Sequence, residues 1–262
     1  MKTSLFSALL SALFSPLLSA ALVAVFMASA WSEGLSSHLQ YQTGDKTFEA
    51  YLERSTGASK GTVVIIHDWD GLTEYEKMRA NMLSGLGYDA VAIDLFGVEA
   101  KLEGRDDYRR ETGALYGNRD EFRARIQAAI AASKSSGINT DQIIIIGYCF
   151  GGAATLEAAR AGVDADGFVS FHGGLGTPEG QNYSQTTAPI LLLHGSADPV
   201  SGMDDLASLL NQLEEAKVPH DAEVYGGARH AFTVSGSRDY DQAADAKAWD
   251  ALVRFLNRLN EG

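Results

Sequence analysis

The chain of 262 residues has a single cysteine, Cys149, so no disulfide can form within it. It has no Pro-rich or Gln-rich tract, no long block of like charge and no repeat of fixed period, which argues against solenoids and extended disordered tails. It is also poor in positive charge. With 21 Lys and Arg against 34 Asp and Glu, the net charge is −13. No basic patch interleaved with aromatics relieves this, so nucleic acid is excluded as a partner. None of the six histidines falls at a His-x-x-x-His or comparable ligand spacing, and no metal site is expected.

Charge is missing locally too. From Thr3 to Trp31 no side chain is charged, and Lys2 alone supplies a positive start. This pattern predicts an export signal over 1–30, cut after Ala30 at the small-residue stretch Ala28-Ser29-Ala30, with a periplasmic or secreted product. The competing expectation is a retained membrane anchor facing outward, because the run is long enough to span a bilayer, although Pro16 and several serines interrupt it. A lipid anchor is excluded, since no cysteine lies at the cut. What remains, 31–262, is large enough for one domain with a fully buried sheet.

Within that domain two short strands at 38–42 and 47–54, joined through Gly44-Asp45, read as a hairpin. Strands are then expected at 62–67, 89–94, 142–147, 167–171, 190–194 and 222–225. Helices are expected at 74–86, 120–135, 150–161 and 203–216. A last helix carries Ala244, Ala248, Leu252, Leu256 and Leu259 at spacings of three or four. Continuous apolar strands alternating with helices predict an α/β fold with a mostly parallel sheet covered on both faces. In such a sheet the reactive groups lie outside the carboxyl ends of the strands.

The stretch Ile143-Ile-Ile-Ile-Gly-Tyr-Cys-Phe-Gly-Gly152 is a buried strand turning sharply into a helix. The residue at such an apex is forced into a strained conformation, and its neighbours two positions away must be small, as Gly147 and Gly151 are. Cys149 is thereby pushed out above the sheet, with the Phe150 amide aimed where a substrate oxygen would become negative. A thiol at that place is a competent nucleophile. The structural alternative is a small buried apolar residue. Two further segments follow strands in the order nucleophile, acid, histidine: Asp198 in "LLLHGSADPV" and His230 in "VYGGARHAF".

With these motifs the chain resembles the dienelactone hydrolase family of the α/β hydrolases over essentially the whole of 31–262. The stretches that carry the resemblance are "HDWDGL", "GYCFGG", "SFHGGL", "LHGSADP" and "YGGARHAF". It implies an α/β-hydrolase fold and a thiol-dependent hydrolase of cyclic or activated esters, with no organic cofactor. The catalytic nucleophile, acid and histidine fall on Cys149, Asp198 and His230, and a second oxyanion amide on Trp69. Two positions depart from the family pattern. Asp68 stands where a glutamate usually helps control the thiol proton, and Val234 stands where the founding members carry an arginine for a substrate carboxylate. The second departure leads us to expect neutral esters or lactones to be preferred over carboxylate-bearing ones, unless Arg229 or an arginine of 106–125 replaces the missing cation.

Other residues have plainer readings. His67, His172 and His194 fall at strand ends and are expected to be satisfied structural histidines. Asp94 is expected to organise the "DLFG" turn. The charged stretch 106–125 reads as a solvated helix face, with Arg109 and Arg110 as remote candidates for an anion contact. The functional alternatives are a broad carboxylesterase or acyl transferase on the same triad, or a binding or redox-sensing protein that keeps the fold without turnover.

Overall fold

The computed structural model describes residues 36–261, so the export and anchor expectations for 1–30 lie outside the described residues. Chain order is β1 (Ser36–Thr43), β2 (Lys46–Glu53), β3 (Thr62–Ile66), α1 (Glu74–Gly85), β4 (Asp89–Ile93), α2 (Arg105–Gly117) and α3 (Arg119–Ser135), followed by β5 (Ile143–Tyr148), α4 (Phe150–Arg160), β6 (Gly167–Phe171), β7 (Ile190–Gly195), α5 (Met203–Ala216), β8 (His220–Tyr225) and α6 (Gln242–Glu261). The strands form one eight-stranded sheet in the order β1-β2-β4-β3-β5-β6-β7-β8. The β1-β2 and β2-β4 pairs are antiparallel, and every other pair is parallel.

Period-two alternation decides which face each strand residue covers. Val64, Ile66, Ile143 and Ile145 join Phe122, Ile126, Leu156 and Leu209 in the core beneath α3, α4 and α5. Val63, Ile65, Ile144 and Ile146 point the other way, onto Leu83 of α1 and Ala248, Leu252 and Leu256 of α6. The helical spacing read in the last segment is therefore its buried stripe, with Leu259 only partly covered. Burying each such Val, Ile or Leu stabilises the fold by about 1.5 to 3 kcal/mol before conformational entropy is set against it.

Two elements differ from the sequence-based expectation. The charged stretch 106–125 is not one helical face. It is two helices that break at Asn118, whose side chain caps α3 by accepting the Glu121 N–H at 3.2 Å. The strand expected at 222–225 begins earlier, at His220. Its first residues are polar because β8 is an edge strand, which masks a signal based on apolar runs. Among the described residues no helix is long and apolar enough to cross a membrane.

Candidate active site

The turn between β5 and α4 explains its own sequence. Cys149 has φ 52 and ψ −109, a left-handed conformation that a non-glycine residue adopts only under constraint. A methyl on Gly147 would overlap the Gly151 carbonyl, and one on Gly151 would overlap the Ile66 carbonyl of β3. One on Gly152 would come within 2.7 Å of Gly173 Cα, after β6. Each glycine marks a place where backbone meets backbone. Phe150 fixes the start of α4 from below, its ring stacked on Phe122 at 5.3 Å and tilted on Phe96 at 5.4 Å.

The half-buried Cys149 Sγ lies 2.9 Å from His230 Nε2, and His230 Nδ1 lies 2.8 Å from Asp198 Oδ2. The three residues come from the ends of β5, β7 and β8, as expected for groups outside the carboxyl edge of the sheet. Asp198 Oδ1 accepts the amides of Val200 at 2.8 Å and Ser201 at 3.2 Å. Burial would raise the Asp198 carboxyl, but its bond to His230 and these amides outweigh burial and hold it below the usual carboxylate range. The Cys149 thiol is pushed up, first by burial and then by the negative charge of Asp68. A free thiolate is therefore disfavoured at this place unless a base takes the proton.

Asp68, although one methylene shorter than glutamate, lines the same cleft as that thiol and is close enough for its charge to act on it. Burial raises its carboxyl from 3.8 to about 6 against the opposing bond from the Trp69 amide. The Trp69 N–H, implied by resemblance as an oxyanion donor, is here donated to Asp68 Oδ1. The Phe150 N–H is the first amide of α4, directly after the Cys149 apex. The loop holding Asp68 is fastened by buried Glu76, whose carboxylate accepts the Asp68 N–H at 3.2 Å and the Thr73 N–H at 2.9 Å.

The raised Asp68 carboxyl carries a stability consequence. The folded state binds this proton more tightly than the unfolded chain, so the contribution favours folding below about pH 4 and is lost as pH rises through about 6. The loss is about 3 kcal/mol for a shift of this size. Asp68→Asn, which can still accept the Trp69 N–H, is expected to melt higher than the wild type at pH 8, with the difference vanishing toward pH 4. Melting curves at several pH values check this, and a variant that melts lower than the wild type at pH 8 would contradict it.

These residues floor a cleft of about 660 Å³ whose walls include Trp69, Arg105, Tyr116 and Arg238. Arg105 lies over the Trp69 ring at 5.6 Å and has no acidic partner among the described residues. Arg238 is held by Asp239, which also takes Arg229. Arg109 and Arg110 pair with Asp106 and Asp107 on the outer face of α2 and do not line the cleft. Val234 does not line it either, because the segment after His230 coils into tight turns, the first closed by Val234 N–H on the Ala231 carbonyl at 3.1 Å. Sequence reading missed Arg105 and Tyr116. Both sit on a short charged helix with no motif around it.

The remaining candidates have structural roles. His67 donates from Nδ1 to the Asp68 carbonyl and accepts the Leu95 N–H at 3.0 Å. His194 donates from Nε2 to the Ser201 carbonyl at 2.9 Å. Asp94 accepts the amides of Phe96 and Gly97, both at 2.8 Å, and so organises its turn as read. No cluster of three or more His, Cys, Asp or Glu side chains that could hold a metal occurs among the described residues.

The chain is similar to known proteins in sequence and in fold. The sequence profile described as "Dienelactone hydrolase family" matches residues 48–260. A Saccharolobus solfataricus protein named for carboxymethylenebutenolidase activity is 30% identical over 122 residues, and the match spans 46% of each chain. The carboxymethylenebutenolidase of Pseudomonas putida is 26% identical over 235 residues, covering 87% of this chain and 97% of its own. Among solved structures, a dienelactone hydrolase-like promiscuous phosphotriesterase from metagenomic libraries superposes with a TM-score of 0.79 at 28% identity, over 86% of this chain and 98% of the other.

Proposed function

The chain belongs to the dienelactone hydrolase family of enzymes, and from that premise we propose that it hydrolyses esters or lactones through a thioester on Cys149. The observation that carries the reading is the unbroken contact from Cys149 Sγ to His230 at 2.9 Å and on to Asp198 at 2.8 Å, at a strained apex that floors an open cleft.

In this reading the Cys149 thiol loses its proton and attacks the substrate carbonyl, while the Phe150 N–H stabilises the oxygen as it becomes negative. The leaving oxygen takes up the proton that the thiol gave up, and His230, oriented by Asp198, later takes a proton from the water that cleaves the thioester and returns it to the departing sulfur. Asp68 is the auxiliary base. Its carboxylate lines the same cleft as the thiol and is ionised above about pH 6, so it can take the thiol proton near neutrality. Once protonated it is a weaker acceptor for the Trp69 N–H, which frees that amide to join Phe150 at the oxyanion. No step in this sequence calls on an organic cofactor or a metal.

The cleft changes what substrate charge to expect. Val234 provides no cation and does not line the cleft, whereas Arg105 does line it and is uncommitted to any carboxylate among the described residues. We assign to Arg105 the contact with a substrate carboxylate, in place of the preference for neutral substrates read from Val234. Arg105→Met is expected to raise KM for a carboxylate-bearing lactone by about tenfold, the loss of one charge-assisted hydrogen bond at an exposed site, and to leave a matched neutral lactone unchanged. Equal effects on both substrates would remove Arg105 from recognition.

The test of the whole reading is turnover of a panel of aryl esters, lactones and phosphotriesters with and without prior alkylation of the thiol. The panel includes triesters because one structural relative is named for that activity. Alkylation-sensitive ester or lactone hydrolysis is the expected result, and transfer to added alcohols would favour an acyl transferase. Ligand binding with no turnover would favour the binding or redox-sensing alternative. Export belongs to the proposal, supported by the uncharged stretch from Thr3 to Trp31. Mass measurement of the product's amino terminus, expected near Trp31, decides between cleavage and a retained anchor.

A further inference from the structure

One buried imidazole beside the triad takes no part in the proposed chemistry. His172 follows β6 with φ 38 and is wholly inaccessible to solvent. Its Nδ1 accepts the Cys149 N–H at 3.2 Å, an amide it shares with the Phe171 carbonyl at 3.0 Å. A ring nitrogen that accepts carries no hydrogen, so the proton of the neutral ring sits on Nε2, 2.8 Å from Thr233 Oγ1. The Thr233 hydroxyl meets Tyr75 OH at 2.7 Å, and Tyr75 in turn accepts the Arg79 Nε–H at 3.2 Å. Arg79, itself buried and paired with Asp245, also donates to the Thr233 carbonyl at 3.1 Å. A buried polar chain thus runs from the amide of the nucleophile to the segment that carries His230, three residues before Thr233.

We propose that His172 and Thr233 are positioning residues that lock the Cys149 turn to the His230 segment and so set the 2.9 Å contact between sulfur and imidazole. The inference rests on the reading of this site as a thiol hydrolase. Its physical basis is that β5 and the segment after β8 are not neighbours in the sheet, so their relative position must be fixed through a side chain that reaches both. His172, at the end of β6, one of the two strands that lie between them, is that side chain. Its ring also stands edge-on to His230, with centroids 5.5 Å apart.

The lock works only while His172 is neutral. A proton on Nδ1 would set two donors face to face at the Cys149 amide. The charged or titratable groups around the ring are His230, His194, Arg79, Tyr75, Tyr148 and Cys149. Burial, followed by the neighbouring His230, holds His172 well below the usual histidine range. His230 is then left as the imidazole that exchanges protons with the thiol.

The experiment compares Thr233→Val, which keeps the shape and removes the hydroxyl, with Thr233→Ser, which keeps the hydroxyl. Two readouts are taken on the full chain: kcat and KM for an aryl ester, and the rate of Cys149 alkylation by iodoacetamide from pH 5 to pH 9. Thr233→Val is expected to lower kcat by roughly 10- to 100-fold with KM within about twofold, as for a small misplacement of reacting groups. It should slow alkylation at neutral pH and move its midpoint upward, while Thr233→Ser restores both readouts. Wild-type kcat and alkylation in Thr233→Val, or equal impairment of the two variants, would overturn the proposal. If Thr233→Val does not fold, Tyr75→Phe, which strips the hydroxyl's partner and keeps the ring, must shift both readouts in the same direction, and no shift overturns the proposal. Alkylation needs no substrate. A wild-type protein that hydrolyses no ester therefore refutes the hydrolase reading, while the alkylation comparison still decides the positioning role.

Discussion

Replacing Cys149 by alanine is expected to remove ester and lactone hydrolysis and to leave the melting temperature close to that of the wild type. The first half follows from the proposed route through a thioester, in which without sulfur no covalent intermediate forms and the amides and imidazole that remain can only orient a water. The second half follows from position. The side chain is half-buried at the floor of an open cleft, so truncating it enlarges that cleft and opens no closed void in either core. Cys149→Ser is the finer comparison. A hydroxyl ionises far less readily than a thiol, and here its proton would have to leave beside the buried Asp68 charge. Serine should therefore lose most of the rate, by roughly 10²- to 10⁴-fold if it depends wholly on base assistance. Turnover and thermal melting measured on the same preparations separate chemistry from folding, and a Cys149→Ala protein with wild-type rates would end the assignment.

His230→Ala is expected to cost about 10²- to 10⁴-fold in kcat, the usual worth of a positioned general base. The informative variant is the double. Asp198 reaches the reacting atoms only through His230 Nδ1, so once the imidazole is gone there is nothing left for the carboxylate to orient. Asp198→Asn is preferable to alanine as its partner, because the amide oxygen can still accept from Val200 and Ser201 and keep the loop shaped. Asp198→Asn alone should slow turnover strongly. Added to His230→Ala, it should change the rate by less than about threefold. Losses that multiply would mean that Asp198 acts on substrate or on Asp68 by another path.

Much of this site was legible in the sequence because its geometry forces residue types. Gly147, Gly151 and Gly152 are written into the chain by backbone contacts that tolerate no methyl, and the Cys149 apex follows from them. Asp198 and His230 were found by order and by their places after strands. The cleft walls were not legible. Arg105 and Tyr116 come from α2, whose charges look like those of any solvated helix, and nothing in its pattern marks them as cleft residues. The exclusion of Val234 from the cleft depended on turns after His230 that no periodicity signals. His67, His172 and His194 were read as satisfied residues. The structure bears this out for His67 and His172, whereas Nδ1 of His194 is buried without a partner among the described residues. What no local pattern could show for His172 is which groups satisfy it, since they lie at the turn after β5 and in the segment after β8.

The close approach of Gly151 to the Ile66 carbonyl and of Gly152 to Gly173 also sets when the thiol acquires its chemistry during folding. These contacts join segments that follow β3, β5 and β6, strands distant in sequence whose parallel pairing is slow to form. Until all three are in register, nothing holds Cys149 at its strained apex or brings His230 to it, and the cysteine behaves as an ordinary thiol. On the proposed reading, histidine-assisted labelling of this thiol at neutral pH is a built-in clock for the completion of the sheet, reporting a late event that helix content alone would pass over.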